Sequence, residues 1–208
     1  MKKRALKTIV ILLIVVPIIL PGAKKIEARK LYYAEEFYLY VLNLYYTNPN
    51  LLRNIRFMQW ALKAPFDNPV RSLALITNEY EFSRYKALFR MHVSLLIIDS
   101  YLQLANRFDK QHLYFFNYWY AEDLKKSFEI AMYYYKTALI YWDEVLGYAN
   151  EAEKINTRIN LDKWEDELFL ILTGKLNYKV IIEEHIKRLE NKINLVEAYL
   201  KSKNLKTG

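Results

Sequence analysis

Residues 121–153 read AEDLKKSFEIAMYYYKTALIYWDEVLGYANEAE, a run with no proline and one late glycine, Gly147. From Glu122 to Glu153 nothing breaks a helix until that glycine. Phe128, Ala131, Met132, Tyr135, Ala138, Leu139, Trp142, Val145, Leu146 and Ala149 recur at steps of three and four, which places them on one helical face. A second bulky set, Ile130, Tyr133, Tyr134, Tyr141 and Tyr148, lies round the side. Only Lys125, Lys126, Glu129, Lys136, Asp143 and Glu144 are committed to water. A helix that is apolar over more than half its circumference needs neighbours on two sides. The pattern predicts the central helix of an all-α bundle or short solenoid of antiparallel helices.

The same periodicity predicts the other elements. Leu31 to Tyr46 reads as an aromatic-rich helix stopped by Thr47-Asn48-Pro49-Asn50, and Leu51 to Ala64 as the next, ended by Pro65. In Pro65-Phe66-Asp67-Asn68-Pro69, Asn68 is placed as an N-cap and Pro69 as a first helical residue, where its missing N–H costs nothing. A short helix over Pro69 to Thr77 is expected there. Glu79 to Phe108 is a long helix whose buried face runs through Phe82, Tyr85, Phe89, His92, Leu96, Asp99 or Ser100, and Gln103. Leu88, Leu95, Ile98, Leu102 and Ala105 flank it. Asp109 to Tyr120 is an aromatic connection, either a short helix or a packed loop, and Ile155 to Asn160 is a polar turn. Asp162 is placed as the cap of a helix through Leu172, with Gly174 as its left-handed end. The last helix starts at Asn177 or Tyr178 and reaches about Lys201, with a frayed polar tail beyond it. Ile182, Ile186, Leu189, Ile193, Val196 and Leu200 form a seam on that helix at alternating steps of four and three. The seam serves either a hairpin with Trp164, Leu168 and Ile171 or a docking partner, the hairpin being preferred.

Composition narrows the class. The 208 residues suffice for one domain with a sizeable core. A hydrophobic fraction of 53% excludes disorder, and four glycines are too few for a β-rich fold or a phosphate-cradling loop. The absence of cysteine removes disulfides, thiolate metal sites, a cysteine nucleophile and a lipid-attachment cysteine. The net charge of +8 invites a nucleic-acid reading until it is located. Residues 1–30 hold eight basic groups and one acidic group, a net +7, and the remaining residues carry 23 basic against 22 acidic. The body therefore lacks the electrostatic footprint of a nucleic-acid binder.

That basicity flanks Thr8 to Leu20, TIVILLIVVPIIL, which has the form of an export signal or a membrane anchor. Extended to Ala23 the run has 16 residues, roughly 24 Å of helix and enough for a thin or locally thinned bilayer. Pro17 is tolerable in a membrane helix. Small residues at the third and first positions before a cut are lacking around Ala23 and Ala28, which favours a retained anchor over a cleaved signal. Four cations lie on each side, so charge alone leaves orientation open. The short N-terminal arm favours a single inner-membrane pass with the body in the periplasm. The expected organisation is a basic region over 1–7, an anchor or signal over 8–23, a basic linker over 24–30 and a helical domain over 31–208.

Candidate chemistry is sparse. His92, His112 and His185 stand on separate segments with no Glu-x-x-His or His-x-x-x-His spacing, so no local metal motif exists. Serine-hydrolase, phosphate-loop and dinucleotide motifs are absent from the sequence. Glu35-Glu36, Asp166-Glu167 and Glu183-Glu184 are adjacent pairs that point to different azimuths and serve as solvated charge. Asp99, amid apolar neighbours, calls for a partner such as Arg71, Arg84 or Arg90. No catalytic residue, metal ligand or cofactor is assigned. Nineteen tyrosines exceed what one core of this size easily hides with every hydroxyl satisfied, which points some of them to a protein interface. The interface candidates are Tyr133, Tyr134, Tyr141 and Tyr148 with the seam of the last helix.

Ala131-x-x-x-Tyr135-x-x-Ala138-Leu139 resembles the second helix of a tetratricopeptide (TPR) repeat, although Trp119 stands where the first helix of that repeat wants glycine. Phe57 to Arg71 (FMQWALKAPFDNPVR), RMHVSLLIIDSYLQL and SFEIAMYYYKTAL, together with the anchor, resemble a small membrane-associated protein of spirochaetes, similar to components of the collar around their periplasmic flagellar motor. The resemblance implies a TPR-like, non-catalytic scaffold or adaptor that helps assemble the collar and so supports motility. It implies other motor or collar proteins as partners, with the bilayer held through residues 8–23 and self-association as a further option. A translocon-associated periplasmic chaperone shares the same design of anchor and helical body. A membrane-tethered enzyme with a site between helices is the alternative from another class.

Overall fold

The computed structural model describes residues 30–45, 50–110 and 118–207. Six α-helices lie among them: α1 (Ala34–Tyr45), α2 (Leu51–Lys63), α3 (Glu79–Asp109), α4 (Ala121–Glu153), α5 (Asp162–Leu172) and α6 (Tyr178–Thr207). No strand occurs among the described residues, and the fold is all-helical. The anchor or signal over 8–23 lies outside them. None of the described helices is long and apolar enough to cross a membrane.

Side-chain chemistry sets the helix starts. Asn50 accepts from the Arg53 amide at 3.1 Å and Asn78 from the Glu81 amide at 2.9 Å, each satisfying an amide that lacks an intrahelical partner. Glu81 reaches back to the Thr77 amide at 2.7 Å, which secures the start of α3 from both directions. Gly174 follows α5 with φ of 72°, the left-handed turn that a β-carbon disfavours.

Helix α4 lies between two long neighbours. Ser127 donates to the Phe108 carbonyl at 2.8 Å, and Arg84 donates to the Ala152 carbonyl at 2.6 Å, so α3 and α4 run antiparallel. On the other flank Lys125 pairs with Glu197 at 2.8 Å and Trp142 meets Tyr178 at 5.7 Å, so α6 is antiparallel to α4 as well. The small residues Ala131, Ala138, Ala149 and Ala152 are buried along α4, alternating with buried Phe128, Tyr135, Trp142 and Val145. Burial of each large side chain contributes about 1.5–3 kcal/mol. Helices α1 and α2 form an antiparallel pair through Phe37, Tyr40, Phe57 and Trp60 and pack against α3. Trp164 of α5 fills the space between them, within 6.1 Å of the rings of Tyr38, Tyr85, Phe89 and His92.

Several expectations change. The segment after Pro69 is a single 3₁₀ turn, Pro69–Arg71, capped by Asn68 as expected but not continued to Thr77. Asp162 is the first residue of α5, and Leu161 is the cap, with no side-chain capping bond. The seam of α6 lies along α4 rather than forming a hairpin with Trp164, Leu168 and Ile171, because those three residues are already committed to the core. Gln103 and Leu146 are exposed. Helix α6 continues past Lys201 to Thr207.

Candidate interaction face

The four candidate tyrosines of α4 do not share one surface. Tyr133 is 64% exposed. Tyr134 is half-buried, 5.6 Å from Tyr133 and 6.1 Å from both Tyr101 and Phe108. Tyr141 stacks on Tyr101 at 5.9 Å and accepts a 2.7 Å hydrogen bond from Gln59 Nε2, which ties α4 to α2. Tyr148 lies under the Arg90 guanidinium, 5.9 Å from ring centre to cation. Burial raises the phenols of Tyr141 and Tyr148 and pushes Tyr101 up to about 12, because a phenolate cannot be solvated there. Tyr134, Tyr141 and Tyr148 turn inward, and Tyr133 is the one that turns out.

Exposed with Tyr133 are Ile130 and Ile140 on the same helix, and Trp119 and Tyr120 in the 3₁₀ turn that leads into it. Ile130, Tyr133 and Ile140 are spaced by three and seven residues, which makes an outer stripe on α4. Beside it a shallow groove of about 600 Å³ is lined by Phe108, Lys126, Glu129, Ile130, Tyr133 and Tyr134. Periodicity sets Ile130 round the side of the helix and does not single out Ile140, Trp119 or Tyr120 as interface residues. The signal that finds them is the excess of apolar positions once both flanks of α4 have been filled. On α6, Ile182, Leu189 and Val196 are buried by the chain itself, and Ile186, Ile193 and Leu200 are half-buried.

The interior holds polar groups paired in ways that sequence spacing does not reveal. Arg84 makes a two-pronged pair with Glu165 at 2.9 and 2.5 Å and donates further to the carbonyls of Ala152 and Ile155. Burial alone would raise the Glu165 carboxyl, but the bonds from Arg84 and the Ile159 amide hold it below the usual range. Glu35, expected in water, is buried and accepts from the Asp67 amide and the Tyr85 hydroxyl. The cause is the Pro65 bend, which brings Asp67 back over the start of α1, where Ala34 N–H donates to the Pro65 carbonyl at 2.9 Å. Glu167, also expected in water, takes a 2.6 Å bond from Nδ1 of His92, whose Nε2 lies 3.1 Å from the Tyr38 hydroxyl. Trp164 stacks over that imidazole at 5.0 Å and covers the middle of the Tyr38–His92–Glu167 chain.

Asp109, at the end of α3, is fully buried beneath α6. It bonds to Arg188, has Lys192 at 3.8 Å and His185 at 3.9 Å, and accepts from Tyr135 at 3.0 Å. His185 lies flat on Tyr135 at 4.8 Å. Burial and the neighbouring Arg188 lower its basicity against the pull of Asp109. Asp99 is not paired with Arg71, Arg84 or Arg90. Those cations go to Asp67, to Glu165 and to the rings of Phe66 and Tyr148, while Asp99 accepts from the Tyr178 hydroxyl at 2.5 Å.

No group of three or more His, Asp or Glu side chains suited to a metal ion occurs among the described residues. Chemically, the paired interior groups fasten one helix to another, and the outer stripe of α4 offers aromatic and aliphatic area to a surface that excludes water. No curated protein and no solved structure matches the chain. Residues 80–199, from the first turn of α3 through most of α6, match the family described as Domain of unknown function (DUF8513), and the chain belongs to that family.

Proposed function

We propose that the chain is a non-catalytic scaffold or adaptor whose TPR-like helical body is held at a membrane by residues 8–23 and binds other proteins through α4. The observation that carries this reading is the outer stripe of Ile130, Tyr133 and Ile140, left uncovered beside an apolar groove on a helix whose other flanks are filled. Tyrosine is favoured at interfaces because it buries a large area with little loss of rotamer freedom. The resemblance to spirochaetal collar components supplies the setting: assembly of the periplasmic flagellar motor collar, and through it motility. The cations on both sides of the apolar N-terminal run support the anchor, since they match lipid head groups.

The test is crosslinking of the tagged full-length protein in its native cells, purification from membranes and identification of what is captured. Motor or collar proteins, lost when Tyr133 is changed to Ala, support the reading. Capture of the secretion channel, or of a broad mix of exported chains, replaces the scaffold with a chaperone. A soluble product beginning after Ala23 removes the anchor.

A further inference from the structure

Apart from the α4 groove, a second cavity of about 410 Å³ opens among α1, α2, α3 and α5. Its volume falls in the range of small-molecule pockets, roughly 300–1,000 Å³. Val41, Leu42, Met58, Leu96 and Leu102 give it apolar walls, and Asp99 stands in the wall between them. The partners of that carboxylate are unusual for this protein. Arg84 answers Glu165, and three basic side chains surround Asp109. Asp99 has no cation within salt-bridge distance among the described residues, and its hydrogen bond comes from a neutral phenol, Tyr178.

The charged groups near it do not supply the missing partner. Lys163, at the cavity rim, is 73% exposed at its side chain and points toward Glu167 at 4.0 Å. His92 is engaged by Glu167 and Tyr38. Burial raises the Asp99 carboxyl; the Tyr178 hydrogen bond opposes it, Glu167 adds to it, and Lys163 and His92 oppose it more weakly. A carboxylate half-removed from water with no cation beside it sits at a cost. A cationic head on an apolar stem would relieve that cost while filling the cavity.

We propose that this cavity is a binding site for an alkylammonium or alkylguanidinium group, with the cation on Asp99 and the stem against Val41, Leu42, Met58 and Leu102. Free amines and the lysine or arginine side chain of another protein share this chemistry. The site is separate from the α4 stripe and does not depend on the scaffold reading.

Calorimetric titration of the full-length protein with 4-phenylbutylammonium, 4-phenylbutan-1-ol and 4-phenylbutyrate tests it. The three probes share one stem and differ in head charge. The ammonium is expected to bind about tenfold or more tightly than the alcohol, the advantage of a charge-assisted contact over a neutral one, and the carboxylate weakest. Asp99→Asn keeps an acceptor for Tyr178 and removes the charge, so it should erase the preference for the ammonium while leaving alcohol binding intact. Leu42→Trp, at a position already partly open to solvent, should obstruct all three probes without disturbing the core. A blocked Leu-Lys-Leu peptide that competes with the ammonium identifies a protein side chain as the natural occupant; a peptide that does not compete, with the ammonium still bound through Asp99, identifies a free amine. Equal binding of the three probes, ammonium binding unchanged in Asp99→Asn, or no binding of the ammonium overturns the proposal.

Discussion

Arg84 and Asp109 lie near opposite ends of α3, and each carries a charge out of water. At the Arg84 end the geometry closes: two carboxylate oxygens and two carbonyls take up the guanidinium, and the Ile159 amide shares Glu165. At the Asp109 end three basic side chains converge on one carboxylate. Even so, Oδ1 of Asp109, Nδ1 of His185 and Nε of Arg188 have no hydrogen-bond partner. The first is a lock between α3, the end of α4 and α5. The second is a clamp from α6 whose side chains, Arg188 and His185 among them, keep part of their surface in water. Satisfied geometry, more than the number of charges, separates the two joints.

Breaking the lock should have the largest effect. Glu165→Ala leaves the Arg84 guanidinium buried without its carboxylate and should cost about 3–5 kcal/mol, read as a lower urea midpoint at unchanged slope. The double change Arg84→Met with Glu165→Leu removes both charges and should recover most of that loss. If the double variant is no better than the single one, the pair contributes through its carbonyl contacts and not through charge balance.

The clamp should be less costly to break. Asp109→Asn retains an acceptor for Tyr135 and frees Arg188 and Lys192 to turn toward water, so about 1–3 kcal/mol is expected. Hydrogen exchange sharpens the comparison: amides of α6 should lose protection in this variant, while those of α1 and α5 keep it. A uniform loss across all helices would make Asp109 part of one cooperative lock.

Acid separates two carboxylates in opposite senses. Glu165 is held below its unfolded value, near 4.3, so its contribution is fully present above that pH and is lost as pH falls through the folded value. Asp99 is raised above its unfolded value, near 3.9, so its contribution is fully present below that pH and is lost as pH rises through the folded value. Urea midpoints followed across the acid range should flatten in Glu165→Gln and steepen in Asp99→Asn. Parallel curves for the wild type and both variants would show that neither group carries the acid response.

Much of this architecture is legible in the chain. Steps of three and four residues mark α3, α4 and α6, and Asn50, Asn68 and Gly174 mark turns where their chemistry is needed. The joints are not legible, for a physical reason. Arg84 and Glu165 are 81 residues apart, and a charge on a helix looks solvated until its neighbour is known. Glu35 and Glu36 read alike, yet the Pro65 bend buries only the first of them. The seam from Ile182 to Leu200 announces that a stripe is covered but not that α4 covers it. The candidate tyrosines read as one set, and the rings of Tyr101 and Phe108 on α3 cover Tyr134 and Tyr141 while leaving Tyr133 outside.

The smallest effect on stability belongs to the surface that the functional reading needs most. Tyr133 touches Tyr134 but keeps most of its area in solvent, so Tyr133→Ala should change stability by no more than about 0.5 kcal/mol. Tyr141→Ala should cost more, because it removes the stack on Tyr101 and strands Gln59 in a half-buried site. A scaffold working through the outer stripe loses crosslinked partners in Tyr133→Ala and in Ile140→Ser, with both variants folded as the wild type by circular dichroism. Tyr141→Ala should instead reduce capture only as far as it reduces the folded fraction. If Tyr133→Ala leaves capture intact, the stripe is ordinary exposed area and the partner surface lies on another helix.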